Sequence, residues 1–93
     1  MREAAAFTVA YDVSDDGERS HVDRVLRGFG FRVQKSVFEC NLTRGDKRAL
    51  IDQLRRLDLK TGTVKIYRIY AGSNNVVIGQ PQAEPDEDYA YIL

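Results

Sequence analysis

The order of the hydrophobic periodicities is the feature that most constrains the fold of this 93-residue chain. The stretch "FTVAYDV" (residues 7–13) alternates large apolar residues with small or polar ones, which is the two-residue period of a strand. On its other face Ala6, Thr8 and Ala10 are small, which predicts a central strand with neighbours packed close on both faces. The acidic "DVSDDGE" separates this strand from the next periodic stretch.

Two helices are predicted from 3.6-residue periodicity. In the first, apolar residues recur at helical spacing, and they are Val22, Val25, Leu26 and Phe29. Gly28 and Gly30 are placed to end it. The second helix is predicted over residues 44–57, with Leu50, Leu54 and Leu57 as its stripe and with Thr43 and Asp46 as its cap.

The stretch between the helices, "FRVQKSVFECNL" (residues 31–42), changes its apolar phase. Phe31 and Val33 are apolar at odd positions, whereas Phe38, Cys40 and Leu42 are apolar at even positions. A one-residue slip would turn a straight strand inside out, so the chain must bulge or reverse near residues 35–36. We favour a tight hairpin between two short strands.

The last third of the chain contains one clear strand and an acidic tail. The fourth strand is predicted over residues 62–72, and Val76, Val77 and Ile78 extend that edge or form a short further strand. "GQPQAEPDED" is a Pro-containing linker, and the final "YAYIL" again has strand character. We therefore divide the chain into a domain at residues 1–79 and a linker with a C-terminal strand at residues 80–93.

The order β-α-β-β-α-β predicts an α+β, ferredoxin-like fold, with an antiparallel sheet, both helices on one face and an extra C-terminal strand. The second face of such a sheet needs a cover. A terminal strand on a linker is suited to cross onto a partner's sheet, so we expect a homodimer with exchanged C-terminal strands.

Four carboxylates follow the first strand, and their positions predict different roles. Asp15 and Glu18 have the spacing of a helix-capping pair, and Asp16 belongs to the same first helical turn, where acids offset the helix dipole. Asp12 lies earlier, at the strand end. From the residues alone it is either a loop cap or a ligand for Mg²⁺, which prefers oxygen ligands.

The net charge of zero conceals a basic body between acidic ends. Residues 17–72 contain thirteen Lys and Arg against six Asp and Glu. The candidates for contact with nucleic-acid phosphates are Arg24, Arg27, Arg32, Lys35, Arg44, Lys47, Arg48, Arg55 and Arg56. The alternative is pairing at i,i+4 with Asp23, Asp52 and Asp58 on solvated helices.

Several classes of site are disfavoured. The single cysteine, Cys40, allows no intrachain disulfide and no thiolate metal site, so we expect a buried apolar thiol and a cytoplasmic location. No apolar run approaches the roughly 20 residues that span a membrane, and no signal-peptide pattern is visible. His21 has no His or Cys companion, Ser36 has no catalytic partner in sequence, and no Gly-rich phosphate loop is present.

The chain resembles the small CRISPR-associated endoribonuclease family, which partners the CRISPR integrase in spacer acquisition. The resemblance rests on "YDVSDD" at the first strand end, on Arg19 in the first helix and on "GFGFRVQKSVFEC". The stretch from Tyr67 to Gly72 and the "VVIG" after the turn also fit, and together these pieces span nearly the whole chain. His21, in place of a second helix arginine, and Lys35, in place of an aromatic or small polar residue, depart from the family pattern.

The resemblance implies a ferredoxin-like homodimer acting in CRISPR-based antiviral defence. Its members are described as Mg²⁺-dependent endoribonucleases of single-stranded RNA, and some cut duplex DNA. It places the metal on Asp12, shared across the dimer, and places Tyr11, Arg19, Arg32 and Phe38 at or near the catalytic site. Two mechanisms stay open: hydrolysis of phosphodiester bonds, and a non-catalytic adaptor that bridges integrase dimers on incoming spacer DNA. A ferredoxin-like ribonuclease toxin is a less favoured alternative.

Overall fold

The computed structural model describes residues 3–70, 72 and 74–80, and within them it contains two helices and four strands. In chain order these are β1 (Ala5–Val13), α1 (Asp16–Arg27), β2 (Gly30–Gln34), β3 (Val37–Leu42), α2 (Arg44–Arg56) and β4 (Gly62–Ile69). The sheet has the order β2-β3-β1-β4, and every neighbouring pair is antiparallel. The predicted α+β, ferredoxin-like architecture is confirmed.

The phase change between residues 31 and 42 produces both a turn and a bulge. β2 and β3 form a hairpin around Ser36, which has a positive φ of 67°. The register between the two strands shifts between Arg32 and Gln34. The regular alternation of β2 places Arg32 on the helix face and Phe31 on the other face of the sheet, and the bulge follows Arg32. The predicted hairpin is confirmed.

The core lies between the sheet and the two helices. Phe7, Val9, Tyr11 and Val13 of β1 point into it, and the other buried residues are Val22, Leu26, Phe38, Cys40, Leu42, Leu50 and Leu54. Cys40 is only 3% exposed, which fits the expected buried thiol. β1 is central, as predicted, because it pairs with both β3 and β4.

The second face of the sheet, which we call the open face, is not covered by any described element of the chain. Both helices lie on one side, as predicted, and the expected cover of the second face by a partner chain stays a prediction. Phe31 and Tyr67 lie on the open face and are 57% and 53% exposed. Glu39 and Thr8 lie between these two rings in the same cross-strand row, so the open face combines exposed aromatic side chains with polar ones.

Two predictions for the end of the chain have different outcomes. β4 ends at Ile69, earlier than the predicted boundary at residue 72. Val76, Val77 and Ile78 form no strand and are highly exposed, so the predicted extension of this edge was wrong. The predicted C-terminal strand "YAYIL" and most of the segment at 80–93 lie outside the described residues. Neither described helix has the length and hydropathy that crossing a lipid bilayer requires.

Both helices begin at the predicted caps. The Asp15 carboxylate accepts a hydrogen bond from the backbone N–H of Glu18 at 2.8 Å. Thr43 and Asp46 form a reciprocal capping box with two bonds of 3.1 Å. Such caps satisfy backbone donors that a helix start otherwise leaves without partners.

Candidate functional site

Asp12 is exposed on the open face, near the end of the central strand. It is the penultimate residue of β1 and pairs in register with Thr63 of β4. Gly62 allows this approach, because a Cβ at that position would overlap the backbone carbonyl oxygen of Asp12. The pairing of β1 with β4 therefore fixes the backbone of Asp12, and its carboxylate projects into solvent.

Tyr11, Arg32 and Phe38 lie together on the helix face of the sheet. The ring centroids of Tyr11 and Phe38 are 6.4 Å apart, and Phe38 is fully buried. Arg32 pairs in register with Phe38 across the β2–β3 hairpin. These three predicted site residues thus converge, but they lie on the face opposite to Asp12.

Asp23 of α1 joins two arginines beside this cluster. Its Oδ2 accepts a hydrogen bond from Arg27 Nε at 2.8 Å, and its Oδ1 lies 4.0 Å from Arg32 Nη1. The Arg27 guanidinium also lies 5.8 Å from the centroid of the Phe38 ring. Asp23 therefore holds Arg27 by a hydrogen bond beside the core and offers Arg32 a longer electrostatic contact.

Burial raises the pKa of the Tyr11 phenol above its ordinary value of 10.0. The nearby Asp23 carboxylate adds to this increase, whereas Arg32, a hydrogen bond with Ser36 and Arg27 oppose it. The Tyr11 hydroxyl is consequently protonated at neutral pH. It can donate or accept a hydrogen bond but cannot serve there as a phenolate base.

Arg19 supports the turn between β1 and α1. Its Nη1 donates to the carbonyl oxygens of Val13 and Ser14 at 2.8 and 3.2 Å, and its Nη2 pairs with Asp16. These bonds fix the backbone directly after Asp12. Arg19 therefore holds the strand end in place through its carbonyl groups.

Glu18 ties the start of α1 to the loop before β4. Its carboxylate accepts hydrogen bonds from Lys60 N at 2.8 Å, from Thr61 N at 3.0 Å and from Thr61 Oγ1 at 2.6 Å. Because Thr61 and Lys60 donate to the charged form, the pKa of Glu18 is lowered from its ordinary 4.5. Glu18 has the predicted position in the first turn, but it binds this distant loop instead of the N-cap backbone.

The basic candidates divide into two groups. Arg27 and Arg32 are partly buried and paired with Asp23. The others have no carboxylate within 4.0 Å among the described residues, and they are Arg24, Lys35, Arg44, Lys47, Arg48, Arg55 and Arg56. Of the predicted i,i+4 pairs, Asp23 with Arg27 is present, whereas Asp58 pairs with Lys60 instead. The helix layer is thus a basic surface that local ion pairs do not neutralise.

A single chain offers few ligands for a metal ion. Within residues 3–70, 72 and 74–80, no group of three or more His, Cys, Asp or Glu side chains converges on a common point. Mg²⁺ commonly keeps several waters and binds one or two carboxylates together with substrate phosphates. Asp12 therefore fits such a site only in combination with groups from outside this chain.

Neither the role of Asp23 nor the hydrogen-bond network of Glu18 could be predicted from the sequence. The i,i+4 spacing indicated the pair of Asp23 with Arg27. Its second contact, to Arg32, depends on how α1 packs on the hairpin. The link between Glu18 and Thr61 spans 43 residues, and no local pattern encodes it.

The fold and surface define a small ferredoxin-like domain with a basic helix layer and an exposed carboxylate at the end of its central strand. The family model described as "CRISPR associated protein Cas2" matches residues 6–76. This chain therefore belongs to the Cas2 family, and its association with CRISPR systems follows from that membership.

Individual relatives agree with this assignment over most of their length. The chain is 36% identical over 92 residues to the CRISPR-associated endoribonuclease Cas2 1 of Chloroflexus aurantiacus, covering 94% of this chain and 98% of the relative. It is 43% identical over 67 residues to the CRISPR-associated endonuclease Cas2 2 of Thermus thermophilus, covering 68% and 71%. A crystal structure of cas2 superposes with a TM-score of 0.75 at 26% identity, covering 87% of this chain and 93% of that chain.

Proposed function

We propose that this protein acts in CRISPR adaptation as a homodimer that binds nucleic acid and hydrolyses phosphodiester bonds at a site shared between two copies of Asp12. The observation that carries the proposal is that Asp12 lies at the border of the open face. Packing two such faces around a twofold axis repeats every contact, so the two copies of one side chain can meet.

The dimer is supported by the exposed aromatic side chains of the open face. Phe31 and Tyr67 project from β2 and β4, on either side of the central strands. A domain of this size buries only roughly 60–65% of its unfolded surface, so covering this face adds needed apolar burial. Exchange of the C-terminal strands would extend the interface. Deletion of residues 80–93 is then expected to give monomers or aggregates on a sizing column, and an unchanged dimer would contradict the exchange.

Asp12 of each protomer would hold Mg²⁺ together with phosphate oxygens and waters. When bound, the metal polarises the scissile phosphate and lowers the pKa of a coordinated water. The chain's own contribution is the position of the carboxylate. Gly62 permits the close approach of β4, and Arg19 binds the two carbonyl groups that follow Asp12.

The basic helix layer is the proposed surface for single-stranded RNA or duplex DNA. Its charges contact phosphates, so binding should be independent of sequence and strongly sensitive to salt. In a dimer this surface is duplicated. The proposed partners are CRISPR integrase dimers, with which the protein would form the larger spacer-acquisition complex.

A non-catalytic adaptor is the second candidate function. The separation of Asp12 from Tyr11, Arg32 and Phe38 favours it, because these residues do not surround one reaction centre within a chain. In this alternative the dimer holds DNA between integrase dimers, and its own hydrolytic chemistry is dispensable.

The test compares Asp12→Ala with the double variant Arg48→Glu and Arg55→Glu in two assays. The first measures Mg²⁺-dependent cleavage of RNA and duplex DNA, and the second measures spacer acquisition with the integrase present. We expect Asp12→Ala to abolish cleavage, and we expect the arginine variant to reduce both cleavage and acquisition, because it removes charges that would contact phosphates. Lys60→Ala, which removes an exposed charge paired with Asp58, is the control.

The outcomes separate the two candidates. Loss of cleavage with intact acquisition in Asp12→Ala would establish the adaptor as the role in adaptation. If the wild-type protein cleaves neither substrate with Mg²⁺ between about pH 6 and 9, hydrolysis is excluded for this chain.

A further inference from the structure

Two cations lie over one buried aromatic ring at the end of the sheet remote from Asp12. Lys47 Nζ of α2 is 5.0 Å from the centroid of the Phe7 ring, and Arg68 Cζ of β4 is 5.8 Å from it. Phe7 is 6% exposed, so the ring is a fixed support. Cations placed over a ring face are attracted by its negative charge density.

The charges of this pair are not balanced by a neighbouring acid. Among the described residues no carboxylate lies within 4.0 Å of Lys47 or Arg68. Asp46, the acid closest in sequence to Lys47, accepts the capping hydrogen bond of Thr43. An anion bound beside this ring would be attracted by both positive charges.

An exposed aromatic ring lies on the other side of Arg68 from Phe7 in sequence, at Tyr70. Arg68 Cζ lies 4.9 Å from the centroid of the Tyr70 ring, and Tyr70 is 65% exposed. A guanidinium that lies over aromatic rings still presents its N–H groups in its own plane, where they can donate to phosphate oxygens. The same place therefore offers donors for a phosphate and a ring face for a base.

The position of this cluster separates it from Asp12. Phe7 and Asp12 are both in β1 but point to opposite faces of the sheet. Five residues of strand separate them by about 16 Å. The cluster is on the face that carries the helices, next to Arg44 and Arg48 in the first turns of α2.

We propose that Phe7, Lys47, Arg68 and Tyr70 form a preformed site for one nucleotide of a single strand, with its phosphate at Lys47 and Arg68 and its base stacked on Tyr70. This inference rests on the proposed binding of nucleic acid and adds to it a preference for unpaired nucleotides. Aromatic rings combined with a positive groove are the common means of holding single strands without sequence preference. A base within a duplex is already stacked on its neighbours, so Tyr70 adds nothing there.

The experiment measures the affinity of the full-length protein for a labelled oligonucleotide by fluorescence anisotropy. The probe is used as single-stranded RNA, as single-stranded DNA and as the duplex of the same sequence. Tyr70→Ala should weaken binding of single strands about tenfold and leave duplex binding unchanged, whereas Tyr70→Phe, which keeps the ring, should bind like the wild type. Lys47→Ala should reduce the slope of log affinity against log salt by about 0.7 for single strands, with Lys60→Ala as the matched control.

Each outcome decides the proposal. If the wild type binds single strands and Tyr70→Ala binds them equally well, the site does not exist, even though the proposed nucleic-acid binding stands. Equal weakening of duplex and single-strand binding would also overturn it, since stacking on Tyr70 would then not be the cause. If the wild type binds neither probe, the proposed function itself fails. Thermal melting of each variant verifies that the fold is intact.

Discussion

Tyr11 and Asp12 are consecutive residues of β1, and their side chains lie on opposite faces of the sheet. Tyr11 is buried under the helices and its ring centroid is 6.4 Å from that of Phe38, whereas Asp12 is exposed on the open face. Because the side chains of a strand alternate, no rotation of either residue can bring both to one site in a single chain. Their effects on activity must therefore arise in different ways.

We expect Phe38 to affect activity only because it stabilises the folded protein. It is fully buried in the core and packs near Tyr11 and the Arg27 guanidinium. Removing a buried phenyl ring commonly lowers the free energy of unfolding by about 3–5 kcal/mol, and we expect a loss in this range for Phe38→Ala. Urea unfolding followed by circular dichroism, at one fixed protein concentration, measures it.

Phe38→Leu is the control for this prediction, because it retains an apolar side chain and should restore much of the stability. If activity follows stability across the two variants, Phe38 is a core residue. A Phe38→Ala protein as stable as the wild type, yet inactive, would contradict this account.

Glu18 should make the stability of the protein depend on pH. Its folded-state pKa lies below the ordinary value of 4.5, because Thr61 and Lys60 donate hydrogen bonds to the charged carboxylate. The contribution of Glu18 is therefore fully present above pH 4.5, and it disappears as the pH falls through the lowered folded-state pKa. Glu18→Gln should be less stable than the wild type at neutral pH, and the difference should vanish in acid.

Asp52→Asn is the matched control, since Asp52 is an exposed helix carboxylate without an ion pair among the described residues. Its free energy of unfolding should differ little from that of the wild type at either pH. A Glu18→Gln effect of the same size in acid and at neutral pH would show that the charge of Glu18 is not the cause.

Cys40 should be unreactive in the folded protein. Burial raises the pKa of its thiol above the ordinary value, and the neighbouring Glu39 adds to the increase. Only the thiolate attacks alkylating or disulfide reagents, so labelling at neutral pH should be slow in the native state and fast in urea. Rapid labelling of the native protein, measured by absorbance with an aromatic disulfide reagent, would contradict the buried position.

The fold could be predicted because each of its elements has a local signal. The alternation in β1 and the helical stripes of α1 and α2 specify which face of each element is buried. The phase change between Phe31 and Phe38 required a turn. Val76, Val77 and Ile78 show the limit of this reasoning, because β-branched residues favour a strand only where a neighbouring strand or a core receives them.

The candidate site could be predicted only in part. The position of Asp12 at a strand end and the basic surface were predicted correctly, whereas the metal-binding role of Asp12 and the phosphate contacts of the basic residues stay predictions. The convergence of Arg32 with Asp23, and of Glu18 with Thr61, depends on packing between segments far apart in sequence. Such contacts follow from the tertiary structure and have no periodic pattern along the chain.

The sharing of one site by two copies of Asp12 is tested most directly by mixing subunits. Wild-type and Asp12→Asn chains are unfolded together, refolded at different ratios and assayed for Mg²⁺-dependent cleavage. A site that needs both carboxylates gives activity that falls with the square of the wild-type fraction, to roughly one quarter in an equal mixture of chains. Mixtures of wild-type and Lys60→Ala chains should keep full cleavage activity at every ratio. A linear decrease with the wild-type fraction, to about one half in the equal mixture, would contradict the shared site.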